Sequence, residues 1–116
     1  MVALLVAFAL AGPPKATITT GTGVTPLAIS SWCWGTTCGA PIAASAKPAV
    51  ADRGTLVTVQ LAFVPHRVTV AVAGKTVIAL RRGHLVSWHA RRGGGLTVHA
   101  TGSRGWVTYV GRLRLR

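Results

Sequence analysis

From Leu56 to the end of the chain, apolar side chains recur at every second position, and that period dictates extended strands rather than helices. Val57, Val59, Leu61 and Phe63 fall on one face of such a strand, with Thr58, Gln60 and Ala62 on the other. Val68, Val70 and Val72 repeat the pattern against Arg67, Thr69 and Ala71, and Ala73-Gly74-Lys75 then offers a hairpin turn into TVIAL. Val86, Trp88 and Ala90 alternate with Leu85, Ser87 and His89, and Leu96, Val98 and Ala100 resume the alternation beyond RRGGG. In the last stretch Val107, Tyr109, Leu113 and Leu115 share a face with Gly111, while Arg112, Arg114 and Arg116 share the opposite one. Strands that each bury one face must cover it with another sheet. The expectation is an all-β fold, an antiparallel two-sheet sandwich of immunoglobulin-like type with about seven strands. A small closed barrel would show the same period, because alternation reports the buried face and not closure.

A chain of 116 residues has room for one such core. The domain is expected over 24–116. Residues 12–23, rich in Pro, Thr and Gly, read as a linker. APIAASAKPAVADRG reads as a crossing segment, with Ala49 and Val50 as a short edge strand. Residues 1–11 resemble a signal peptide: VALLVAFALA is uncharged, and Ala9-Leu10-Ala11 has the small-x-small form of a cleavage site, so the mature chain would begin near Gly12. The run lacks a basic start and is about half the length that spans a bilayer, so it is not read as a transmembrane anchor. Pro13 stands where a lipoprotein box needs cysteine. A buried first strand is the alternative for this segment. The expected location is secreted or in the bacterial cell envelope.

Thirteen Lys and Arg face one carboxylate, Asp52, for a formal charge of +12. Such a field attracts polyanions and is screened by salt. The partners it suggests are an acidic cell-surface polymer or anionic lipid headgroups. Specific nucleic-acid binding is not expected, because no recognition helix, zinc-finger spacing or base-stacking motif accompanies the charge. Arg112, Arg114 and Arg116 stand at period two, about 6.5 to 7 Å apart, and form a row that can follow a flexible polyanion. Arg81, Arg82, Arg91 and Arg92 would extend it if the fold brings their turns to the same side. The alternative is that these arginines are compositional and protect a strand edge from aggregation.

The two cysteines lie in SSWCWGTTCGAP. Cys33 and Cys38 supply only two of the four ligands a structural zinc needs, and their spacing is not that of a redox-active pair. In an exported chain the default is a disulfide, worth about 2 kcal/mol for so short a loop. Trp32 and Trp34 lie on the same side of the strand, opposite Cys33. Pointing outward they would offer an aromatic contact to a sugar or lipid headgroup; pointing inward they would cover one end of the core. SWCWGTTCGAP followed by short alternating strands resembles a group of small secreted bacterial proteins with a Tyr/Trp-Cys-Trp motif and an immunoglobulin-like domain. The resemblance implies export and that fold, and adds no activity. A lipid anchor is common in the group, and Pro13 departs from it.

His66, His84, His89 and His99 are the remaining candidates for chemistry. A hairpin through GGG would set His89 opposite His99 on the solvent face, but no third ligand is identifiable, so no metal or other cofactor is expected. A single carboxylate cannot form a glycosidase pair, and no serine sits in a nucleophile elbow. The chain is therefore read as a non-catalytic binding module, with a purely structural domain as the alternative.

Overall fold

The computed structural model describes residues 12–44 and 47–116, so the expectation of a signal peptide over 1–11 lies outside the described residues. Among the described residues every regular element is a strand. One sheet has the order β2-β1-β6-β10-β9, formed by Gly23–Pro26, Ala16–Thr20, Leu56–Leu61, Leu85–His89 and Leu80–Arg82. The other has the order β4-β3-β12-β11-β7-β8, formed by Thr37–Gly39, Ala28–Trp34, Gly105–Leu115, Gly94–Gly102, Arg67–Val72 and Lys75–Val77. β5, Ala49–Ala51, pairs in parallel with the last residues of β12; the other pairings are antiparallel. The sheets end at separate edges, so the fold is the expected two-sheet sandwich and not the closed barrel.

Alternation built the core as the sequence predicts. Val57, Val59, Val86 and Trp88 of one sheet face Val70, Val72, Leu96, Val98, Val107, Tyr109 and Leu113 of the other, all buried. Val98 lies between Val70 and Tyr109 across three strands, and each such buried side chain contributes about 1.5 to 3 kcal/mol. Gly111 is inward too, and its missing side chain is where Leu27 sits: a Cβ there would lie 2.7 Å from the Leu27 methyl.

Three expectations change. Residues 12–23 are not a linker, because β1 lies between β2 and β6 with Ala16 and Ile18 in the core. Its apolar pattern is only two residues deep, too short to stand out among flanking Pro and Gly. TVIAL is not one strand. β8 ends at Val77, Ile78 and Ala79 cross to the other sheet, and β9 begins at Leu80. The strand count rises from about seven to twelve, chiefly through hairpins of three or four residues whose alternation is too brief to read.

Candidate functional site

At one end of the sandwich meet the loop between β5 and β6, the turn between β7 and β8, the crossover from β10 to β11 and the end of β12. Backbone hydrogen bonds draw them together. Gly54 N–H donates to the Ala90 carbonyl at 2.7 Å, Ala73 N–H to Gly95 at 2.9 Å, and Arg116 N–H to Ala51 at 2.9 Å. Ala73 and Gly74 have φ of 52° and 77°, the left-handed pair of a tight two-residue hairpin turn. Gly94 takes φ +134°, and a Cβ there would lie 3.0 Å from that of Ala73, so glycine lets the crossover rest on the turn.

This end carries Arg53, Lys75, Arg91, Arg92, Arg112, Arg114 and Arg116 together with Asp52, the one acidic side chain of the sequence. Asp52 Oδ1 accepts from Arg116 Nε at 3.0 Å. The Arg116 guanidinium holds the Asp52 carboxyl below its ordinary range, and the carboxylate raises Arg116 in turn. Both side chains are well exposed, so the pair adds little stability. Arg53 Nη1 donates to the Arg91 carbonyl at 2.9 Å. The side chains of Lys75, Arg91, Arg92, Arg112 and Arg114 have no hydrogen-bond or ion-pair partner among the described residues. Their positive field therefore goes uncancelled.

Arg112 and Arg114 stand exposed on the outer face of their sheet, as alternation predicts, and Arg91 and Arg92 reach the same end. Arg81 and Arg82 do not. They lie on β9 at the opposite end, where Arg82 faces Leu85 and Arg81 Nη1 donates to the Pro65 carbonyl. The row is thus not extended through them: β9 runs antiparallel to β10, and its pairing from Leu85 to Ser87 holds it away from the β10–β11 crossover. Arg53 and Lys75 escaped the sequence reading because loops far apart in the chain supply them, and no local spacing records that.

Cys33 and Cys38 form the expected disulfide, facing each other across the β3–β4 hairpin with Cα atoms 4.0 Å apart. The tryptophans beside it are not an exposed pair. Trp32 is buried, its ring lies over Gly39, and its Nε1 donates to the Ala40 carbonyl at 2.9 Å. Trp34 packs edge-on to Phe63, with ring centroids 4.9 Å apart, and both rings cover Gly102. Strict alternation from Ile29 would have turned Trp32 outward. A bulge at Ser30, which is skipped between Thr108–Ser31 and Tyr109–Ile29, reverses the parity so that Ile29 and Trp32 both face the core.

His89 and His99 are not partners, because β10 and β11 belong to different sheets; His89 faces Leu56, and His99 lies between Thr69 and Thr108. On the outer face His99 Nδ1 is 2.8 Å from Thr108 Oγ1, and its ring lies 5.6 Å from that of Trp106, a half-exposed residue the sequence reading passed over. Tyr109 is fully buried, its hydroxyl donates to the Pro14 carbonyl at 2.7 Å, and burial pushes the phenol above its ordinary range. Searches against protein-family models, curated proteins and solved structures find no match for this chain.

Proposed function

We propose that this chain is a non-catalytic module of an exported or envelope-associated protein, holding an acidic cell-surface polymer against its basic end. The observation that carries the reading is the convergence of unpartnered cations, Lys75, Arg91, Arg92, Arg112 and Arg114, with one carboxylate already engaged by Arg116. Cations spread over several rigid strand ends and short loops can meet successive charges of a flexible polyanion, and each neutralised charge releases counterions. Two features support the setting. A disulfide fits an oxidising compartment. The order β6-β10-β9 against β12-β11-β7 matches the B-E-D and G-F-C arrangement of immunoglobulin-like domains and supports that finer reading of the fold.

Anionic lipid headgroups are the second ligand class that the charge suits. Among the described residues no helix is long and apolar enough to cross a membrane. The purely structural reading is favoured locally at β9, where Arg81 and Arg82 occupy a sheet edge and guard it against pairing with other chains. The test is binding to an acidic wall glycopolymer, a neutral glucan and anionic vesicles over a salt series. Tight binding to the acidic polymer that weakens steeply with salt, with none to the glucan, supports the proposal. Equal affinity for both polymers overturns it.

A further inference from the structure

One side of the sandwich is open near the basic end. β9 covers β10 only from Leu85 to Ser87, leaving Trp88 and His89 without a neighbouring strand on that side. There the sheets part into a cleft of about 440 Å³, within the range that small-molecule sites occupy. Val72, Val77 and Trp88 form its apolar floor; Lys75 and Ile78 stand on one side, His89, Arg91 and Arg92 on the other. Ile78 is 97 % exposed. A single exposed aliphatic side chain is ordinary on a protein surface; what Ile78 adds here is apolar lining continuous with Val72, Val77 and Trp88 at the mouth of the cleft.

Floor and mouth have complementary demands that the protein leaves unmet. Lys75, Arg91 and Arg92 carry no ion pair or hydrogen bond from their side chains, and the chain's one carboxylate is held by Arg116. A hydrophilic polyanion would engage the cations but gain nothing from the floor, whereas an uncharged apolar ligand would leave the cations unused. A single ligand satisfies both: an anionic head on a hydrocarbon tail. We infer that this cleft binds an anionic amphiphile, an alkyl phosphate or carboxylate, with its tail against Val72, Val77, Trp88 and Ile78 and its head among Lys75, Arg91 and Arg92. The site goes beyond the polymer reading, since Val77 and Ile78 serve it alone.

Isothermal titration with octyl phosphate, inorganic phosphate and octyl glucoside, each below its micellar concentration, tests the inference. Octyl phosphate is expected to bind at one site at least about tenfold tighter than either of the others. Ile78→Ser and Lys75→Ser, both at exposed positions, are each expected to weaken it at least about threefold, while Ile78→Ser leaves binding to the acidic wall glycopolymer unchanged. Octyl phosphate binding no tighter than inorganic phosphate, or no tighter than octyl glucoside, overturns the inference, as does binding that neither substitution changes. With binding established, a competition assigns the source of the ligand. If octyl phosphate displaces the protein from phosphatidylglycerol vesicles, the amphiphile is a bilayer lipid; if it does not, it is a free molecule. Failure here leaves the polymer assay standing, so the two readings fall separately.

Discussion

The two ends of this sandwich are closed by different chemistry. At one end Trp34 and Phe63 pack over Gly102, Pro65 is buried, and the disulfide fastens the adjoining hairpin. At the other, loops held by backbone hydrogen bonds carry cations that little else offsets, beside a cleft with an apolar floor. The first arrangement spends its aromatic side chains on burial, and its cations, Arg67, Arg81, Arg82 and Arg104, stand exposed around that packed cap. The second leaves exposed cations without protein partners, which adds little to stability and sets up a positive field. The contrast separates a fastened end from a presenting end.

The largest effect expected from this contrast is on stability. Trp34→Ala removes a ring that closes the aromatic end and is expected to cost about 2 to 3 kcal/mol in denaturant unfolding. Arg91→Ala and Arg92→Ala at the other end are expected to shift stability by less than about 0.5 kcal/mol each. Equal losses at the two ends would mean that both are fastened alike. Replacing Cys33 and Cys38 together with Ser comes next, at about 2 kcal/mol by the loop-entropy estimate. Alkylation followed by mass measurement of the native chain should find both thiols protected.

Tyr109→Phe removes the hydroxyl that ties β12 to Pro14 and is expected to cost about 1 kcal/mol. Its pH signature follows from burial, which favours the neutral phenol in the folded state. The contribution is therefore complete below the unfolded value of about 10 and declines as pH rises above it, toward the raised folded value. The gap in stability between the native chain and Tyr109→Phe is expected to narrow above about pH 10. Because the chain has one tyrosine, tyrosinate absorbance reads the shift directly. Ionisation at the ordinary value would contradict the burial.

The smallest effect belongs to the exposed ion pair. Asp52 is depressed by Arg116, so whatever stability it adds is present above about pH 4 and is lost as pH falls through the lowered folded value. Asp52→Asn is expected to flatten that acid limb only slightly while strengthening polyanion binding, since it frees Arg116. Weakened binding in that variant would mean that the pair organises the site.

The sheets' inner faces were legible because a period of two survives wherever a strand is long, and Val57 to Leu61 or Val107 to Leu115 needed nothing else. The arginine row on β12 followed from the same alternation. The orientation of Trp32 did not, since one bulged residue at Ser30 reverses every side chain beyond it and carries no mark in composition. β1 was hidden by brevity. The partition of charge between the ends was hidden for a different reason: Arg53, Lys75 and Arg91 meet through topology, while Arg81 and Arg91, separated by only ten positions, are sent to opposite ends by the course of β10.

On the proposed function, place and not net charge makes the basic end a binding surface. Two triple variants of equal charge test it: Arg53, Arg91 and Arg92 to Ser at the basic end, and Arg67, Arg81 and Arg104 to Ser at the opposite end. Affinity for the acidic wall glycopolymer is measured for each across a salt series. The first variant is expected to lose at least about tenfold and to flatten the salt dependence, while the second stays within about threefold of the native chain. Equal losses in the two variants would show that the polymer senses only total charge, and would contradict the assignment of a site.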